Sequence, residues 1–583
     1  MSDIVSKIHD LSDDQRAQLA QLVKQKLAQK QRQQLYDVVI LGGGLAGSTL
    51  AIQLKKKCPK ANILIVEKNQ YPVPEAAFKV GESIAELGAH YLSDVVGLRE
   101  HLRTDQIVKA GLRYFFTAKD NSEIARRMEV GLKEFPSVPG YQFDRGRLEN
   151  HLYQINLDSG VTFWNQCKVE AIEIGEPHQI TLKRSDQTEQ VTARWVVDAS
   201  GRTAMLKRQL NLSEDATHDI NAVWFRFGMP IDVDEWSNNE QWKSRVAPGL
   251  RRLGTGHLMG RGYWIWMIAL PSGGTSLGIV SDPKIHPHQD MNRFERALEW
   301  LKKYEPQLAQ MLEENPSQLQ DFHVLRHFSH GCKRVYSPER WCITGDAGVF
   351  ADPLYSPGTD FIGMGNSLIT DLIGRDLAGE DIRGRIEQYN LSFLNTYKLY
   401  LITYENQYPL MGNPQVIMAK IVWDWAIYWG LTALLFFQGN KLFDWSLISA
   451  LGNDLQRFNQ LNNDMQVLFR EWDTIENREW ENYFVSLLEI KFLRQLHIRL
   501  NVPLSMEELK IQVRNNIALL ECIAKEFAAQ VKHQLTVYGE DYSKDEYPKV
   551  YTIFADLAQI EVPPDIKGEL NKIWLDENLA VPV

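Results

Sequence analysis

Hydrophobic positions change their period twice along this chain. Before residue 35, Leu19, Leu22, Val23 and Leu27 recur at helical spacing, and Ser12 with Gln15 three positions on has the spacing of a capping box. The polar run from Gln29 to Gln34 then reads as a linker. At Tyr36 the period shortens. Asp37-Val38-Val39-Ile40-Leu41 is a β-branched run closed by Gly42-Gly43-Gly44, a helical stretch follows from Leu45 to about Lys57, and Ile63-Leu64-Ile65-Val66 is a second buried strand. Strand, glycine turn, helix and strand predict a βαβ unit. Strand character returns at 160–169, 179–183, 195–197, 263–270 and 275–280. From about Lys284 the pattern is mostly helical, interrupted by one strand-turn-helix at 341–371. The predicted organisation is an N-terminal helix (1–34), an α/β core (35–380) with a mixed sheet inserted at about 100–140 and 205–335, and a helical C-terminal lobe (381–583).

With 583 residues the chain is too long for one hydrophobic core. A net charge of −10 argues against nucleic acid as a partner, because a phosphate backbone requires a basic face. Cys58, Cys167, Cys332, Cys342 and Cys522 are scattered and the 14 histidines show no ligand spacing, so no metal site is expected. Scattered thiols and a polar start without a secretory signal point to a cytoplasmic protein.

The glycine turn carries the first chemistry. Gly42-x-Gly44-x-x-Gly47 stands between strand and helix, and Glu67 follows 67 − 47 = 20 residues later. Gly42 permits a tight turn, Gly44 lets the backbone approach a pyrophosphate, and Gly47 lets helix and strand pack closely. The helix N-terminus, at Leu45 and Ala46, directs partial positive charge at phosphates. Glu67 can accept hydrogen bonds from ribose hydroxyls, and Lys68 beside it belongs to the same candidate dinucleotide site.

Trp195-Val196-Val197-Asp198-Ala199-Ser200-Gly201, Trp341-Cys342-Ile343-Thr344-Gly345-Asp346-Ala347 and Phe143-Asp144-Arg145-Gly146-Arg147-Leu148-Glu149 resemble, in order, segments of FAD-dependent monooxygenases of the hydroxybenzoate-hydroxylase type. The resemblance implies a Rossmann-like FAD-binding domain with a mixed β-sheet substrate domain. It places Asp346 against the ribityl or phosphate portion of FAD, and Arg147 and Gly358 near the cofactor. Phe78-Lys79-Val80-Gly81-Glu82-Ser83 and Tyr263-Trp264-Ile265-Trp266-Met267-Ile268-Ala269-Leu270-Pro271 further resemble flavin-dependent halogenases, with Ala269 where those have Pro.

That family turns reduced FAD, oxygen and chloride or bromide into hypohalous acid, which a lysine amine holds beside the substrate. The resemblance implies Lys79 as that amine, reduced flavin delivered by a separate flavin reductase, and Trp264, Trp266, Ser356, Gly358 and Thr359 at the substrate or halide. Taken alone, Lys79 also reads as a surface lysine, and Trp264 and Trp266 as core aromatics at strand period. Pro357 lacks the N–H that the family's halide loop has there, and Asp360 brings a carboxylate toward an anion site. A halide-indifferent flavin oxidase, desaturase or monooxygenase is therefore the alternative.

Two segments bear on partners. Leu11-Ser12, Arg16, Leu19 and Leu22-Val23-Lys24-x-Lys26 resemble the docking helices that join modules of peptide and polyketide assembly lines, so residues 11–30 are either a docking segment or a helix packed on its own domain. Either a free small molecule or a substrate tethered to a carrier protein fits that reading. The apolar stretch 416–437 is Trp-rich but interrupted by Lys420 and Asp424, leaving too few residues for a span of ~20. It reads as a core helix, with a greasy substrate cover or a membrane-surface contact as alternatives.

Overall fold

The computed structural model describes residues 35–75, 79–476, 478, 480–538 and 546–574. The expected docking helix therefore lies outside the described residues. The βαβ unit forms at the expected place: β1 (Leu35–Leu41), α1 (Leu45–Lys57) and β2 (Ile63–Val66). β1 pairs in parallel with β2 on one side and with β11 (Gln187–Asp198) on the other. Beyond β11 come β20 (Trp341–Ile343) and β19 (Tyr336–Ser337), and beyond β2 comes β8 (Thr162–Trp164). β9 (Cys167–Glu173) and β10 (His178–Arg184) extend β11 as an antiparallel flap. The continuous apolar runs of β1 and β2 match strands covered on both faces. One cover is α1. The other elements against the glycine turn are α3 (Arg145–Asp158) and α4 (Gly358–Leu377).

A second sheet runs in the order β17 (Leu319–Leu325), β13 (Asn221–Phe227), β16 (Thr275–Ser281), β15 (Tyr263–Ala269), β14 (Thr255–Gly260), β5 (Leu112–Phe116), β6 (Glu129–Gly131) and β21 (Phe484–Ser486). β21 corrects the expectation of a wholly helical C-terminal lobe: it closes the β6 edge by parallel pairing, joining the lobe to the sheet. The region after Lys284 also holds β17, β18 (His330–Cys332) and β19, more strand than its periodicity suggested, because these short edge strands alternate poorly. β18 pairs with β12 (Ser213–Asp215). A three-stranded sheet of β3 (Ser83–Ile84), β7 (Gly140–Gln142) and β4 (Ile107–Lys109) links the two large sheets.

The C-terminal helices lie over that link. They include α5 (Arg383–Tyr404), α6 (Pro414–Ile427), α7 (Trp445–Ala450), α8 (Gly452–Asp473), α9 (Lys491–Arg499) and α10 (Met506–Tyr538). Asn413 caps α6, which continues through a π-turn at Tyr428–Thr432 into Ala433–Phe437. α6 is buried all round. Its two charges pair with each other, Lys420 Nζ to Asp424 Oδ2 at 2.8 Å, and Gln466 satisfies both. The apolar stretch is thus a core helix, and among the described residues no helix is long and apolar enough to cross a membrane.

Under β5 and β6, Glu129 is fully buried between two guanidinium groups, Arg113 and Arg251, the latter donating at 2.9 and 3.1 Å. Removing the carboxylate would strand two buried cations. Glu129→Ala is expected to destabilise the protein by about 3 to 5 kcal/mol, read as a fall in the denaturant midpoint. Val324→Ser on the exposed edge strand β17 should stay within about 0.5 kcal/mol.

Candidate active site

Glycine shapes the turn after β1. Gly42 adopts φ +113°, and a Cβ on Gly47 would stand 2.0 Å from the Gly42 carbonyl oxygen, so no side chain fits where helix and turn meet. Glu67, buried at the end of β2, closes the turn: Oε2 accepts the Gly43 N–H and Oε1 the Asn69 N–H, both at 2.8 Å. Each oxygen keeps a lone pair for a ribose hydroxyl. The N-cap Gly44 leaves the start of α1 open, with only Glu149 near a Cβ there, while Leu45 and Ala46 begin the helix and Lys68 is exposed beside Glu67.

On α3 the residues facing this turn are Arg145 and Glu149, not Arg147. Arg145 donates to the Val80 carbonyl and to Glu149 at 2.7 Å each, and its buried Nε has no partner. Arg147 points away, paired with Glu75 and donating to the Asp105 carbonyl. Two residues turn a helix by about 200°, which sends 147 to the opposite face from 145 and 149. Asp346, after β20, faces the same region. Burial pushes its carboxyl pKa up, with Arg145, Arg202 and Lys207 opposing. A glycine cradle, an open helix start, an orphaned guanidinium nitrogen and an acid for hydroxyl groups together fit an adenine dinucleotide.

Lys79 does not reach the interior cavities. Arg226 draws its carbonyl oxygen in at 2.7 Å and binds Glu82 at 2.8 Å, which leaves the Lys79 ammonium paired with Glu149 and its side chain 28% exposed. Burial pushes the Glu149 pKa up, but Arg145 and Lys79 outweigh it and hold the carboxyl below its usual range.

A different lysine occupies the place foreseen for Lys79. Lys109, on β4, is 3% exposed and its Nζ donates to Ser83 Oγ at 2.9 Å. Burial pushes this amine down to about 8, with Glu86 and Asp360 pulling it back up. Two cavities meet here. A small one of about 100 Å³ is lined by Leu45, Arg145, Asp346, Trp264, Trp266 and Thr359. A larger, mostly apolar one of about 280 Å³ is lined by Lys109, Asp360, Tyr400, Trp425, Trp429 and Leu455, and the C-terminal helices roof it. Pro357 lines both, and Ser83 bridges them, bonded to Ser356, Thr255 and Lys109. Only the sequence Ile107-Val108-Lys109-Ala110, one cation in an apolar strand, hinted at this.

At the seam, Tyr355 and Ser356 hold φ +68° and +62°, conformations costly for residues with side chains. Surrounding groups impose them: the Tyr355 hydroxyl donates to Asp424 at 3.0 Å, Tyr404 to the Leu354 carbonyl, and Tyr408 to Asp352. α4 starts at Gly358, and its first backbone bond runs from Phe361 N–H to the Pro357 carbonyl. The N–H groups of Gly358 and Thr359 thus precede the helical ladder, at the wall of the small cavity. Asp360 does not crowd them. Its carboxylate turns to the Gly88 N–H and the Tyr428 hydroxyl and lines the large cavity instead. Trp264 and Trp266 wall the small cavity while being buried, their rings 5.9 Å apart and their N–H groups donating to Tyr408 and Ser276.

The model of the NAD(P)-binding Rossmann-like domain matches residues 40–128, and that of tryptophan halogenase matches residues 117–397. A flavin-dependent halogenase, chlA, of Dictyostelium discoideum is 24% identical over 434 residues, covering 68% of this chain and 70% of that protein. The chain belongs to the flavin-dependent halogenase family. A 1H-pyrrole-2-carbonyl-[peptidyl-carrier protein] brominase of Pseudoalteromonas luteoviolacea is 26% identical, covering 59% of this chain and 79% of its own. In fold, this halogenase is similar to the solved halogenase PltM in complex with FAD, at a TM-score of 0.59 and 16% identity, over 85% of this chain and 96% of that one. It is an oxidoreductase of the halogenase type, and FAD is its cofactor.

The cradle makes a direct prediction. Gly47→Ala should abolish retention of FAD, seen as loss of flavin absorbance after desalting, because the new methyl must displace the Gly42 carbonyl.

Proposed function

We propose that this halogenase transfers chlorine or bromine to an organic substrate in the large cavity, with Lys109 as the amine that holds the oxidant. The observation that carries this reading is the position of Lys109: fully buried, bonded to Ser83 at the seam, and facing an apolar chamber. FAD, held by the cradle around Gly42, Gly44, Gly47 and Glu67 with Asp346 and Arg145, supplies the oxidising power that turns halide into hypohalous acid. The N–H groups of Gly358 and Thr359 bind the halide from the start of α4. Trp264 and Trp266 keep the small cavity dry, so that halide and oxidant meet few competing waters. Lys109 then holds the oxidant by a hydrogen bond at the mouth of the substrate chamber.

Lys79 takes a supporting part, neutralising Glu149 beside the cofactor. A separate flavin reductase supplies reduced FAD. Relatives named for a pyrrolyl group on a peptidyl carrier and for tetracycline point to natural-product biosynthesis, with a free or carrier-tethered substrate. The partly exposed Leu399, Leu442, Ile448 and Leu455 form the side of the chamber through which either enters.

Incubation with a flavin reductase, NADH, oxygen and bromide or chloride should give products with a halogen isotope pattern in the mass spectrum. Turnover indifferent to halide would overturn the reading. Lys109→Ala should lower halogenation by about 100-fold or more with flavin absorbance retained. Lys79→Ala should reduce it less than Lys109→Ala does, and mainly through weaker FAD retention.

A further inference from the structure

The large cavity holds more ionisable groups than tethering an oxidant requires. Asp360, from α4, is 1% exposed; its Oδ1 accepts the Gly88 N–H at 2.9 Å and its Oδ2 the Tyr428 hydroxyl at 3.0 Å. Its charge reaches Lys109 on β4 and the phenols of Tyr400 and Tyr404 on α5. Glu86, in the short helix Glu86–His90, faces it as a like charge, with His497 of α9 behind at 3.5 Å. Lys109 spends its hydrogen bonds on Ser83 and the Ile84 carbonyl, so the carboxyl is fixed at both oxygens by neutral donors. Such a group, on an otherwise apolar wall beside the halogen-bearing amine, is arranged to exchange a proton with what enters the chamber.

On the halogenase reading above, we propose that Asp360 is the catalytic base that takes the proton of a ring hydroxyl as the ring accepts halogen, and that the substrate is accordingly a phenol. Ionised Asp360 removes the O–H proton, the freed electron pair closes a C=O bond, and the ortho or para carbon attacks the halogen of hypohalous acid. The halogen–oxygen bond breaks, and the departing hydroxide takes a proton from the Lys109 ammonium and leaves as water. The resulting dienone gives its ring C–H proton to the Lys109 amine, and Asp360 returns its proton to the oxygen. Both side chains are restored, and the balance is phenol plus hypohalous acid to halophenol plus water.

Basicity supports the assignment. Burial raises the Asp360 carboxyl to about 8; Tyr428, Gly88 and Lys109 oppose the rise and Glu86 adds to it. A phenol ionises near ~10, so this carboxylate is a far better match to it than an ordinary one near ~4. An arenium C–H proton, by contrast, is acidic enough for any weak base, and would not call for a carboxyl so perturbed.

The test uses the full-length holoenzyme with a flavin reductase, NADH, oxygen and bromide, and compares 4-pentylphenol with 4-pentylanisole. The expected result is bromination of the phenol at least about 100-fold faster than of the ether. Asp360→Asn should lower kcat on the phenol by a similar factor and remove the rising limb of its pH profile. That loss should shrink below about tenfold on 2,6-difluorophenol assayed at a pH where it is already ionised. Tyr428→Phe, which deletes a donor to the carboxylate, should shift the rising limb to higher pH while the enzyme stays folded. Equal rates on phenol and ether, an unchanged pH profile in both variants, or oxidant formed without any brominated phenol would each overturn the assignment. Lack of bromide-dependent oxidant in the wild type, measured with a thiol trap and no ring substrate, would overturn the halogenase reading itself and this inference with it.

Discussion

Desolvation of one amine organises the site. An exposed lysine is a well-hydrated cation that neither holds an oxidant selectively nor gives up its proton readily. Lys109 differs because β3, β4 and the C-terminal helices remove water from it, and because Glu86 and Asp360 stand close enough to limit the cost without forming a direct ion pair. Two of the groups that hold those acids, Tyr428 and His497, come from the C-terminal lobe. The lobe therefore sets the electrostatics of the reaction as well as covering the substrate. Its attachment through β21 to the sheet edge, and through α6 to the seam, keeps that roof in register with the amine.

What could be read from the sequence was what is local. The turn from Gly42 to Gly47, the helix it opens and the acid at 67 lie within one βαβ unit, and each glycine has a backbone reason that holds in any context. Strands such as Tyr263–Ala269 and Thr275–Ser281 were legible because they form neighbouring members of one sheet with continuous apolar character. Lys79 was singled out because it adjoins Val80-Gly81-Glu82-Ser83, but its direction is set by Arg226, nearly 150 positions away, which takes its carbonyl. Lys109 became visible only when helices some 300 residues later closed over it. Arg145 and Arg147 differ by helical face alone, and the i,i+4 pair Arg145–Glu149 was available in the sequence as the better guide.

Asp360 illustrates a different limit. Its position in the chain, three residues past Pro357, suggested a carboxylate aimed at a halide. Backbone and side chain of one residue can serve different cavities, however. At the first turn of α4 the main chain belongs to the small chamber, while the Asp360 side chain leaves the helix toward Gly88 and Tyr428 in the large one. The like-charge conflict read from the sequence therefore disappears, and the same residue becomes a feature of the substrate wall.

The seam between the chambers follows from the same economy of backbone. Pro357 withholds an N–H, yet its ring and its fixed φ complete a loop whose two preceding residues are left-handed. Those residues stay so only because Tyr404, Tyr408 and Asp424, all from the C-terminal lobe, hold Leu354, Asp352 and Tyr355 in place. The shape of the helix start that faces the halide and the closure of the substrate chamber are thus imposed by one set of contacts. A lobe displaced from the sheet would loosen the strained loop, re-wet Lys109 and free the Asp360 carboxyl together. Oxidant would then meet water before it met a ring, and a covered chamber prevents that by coupling the three.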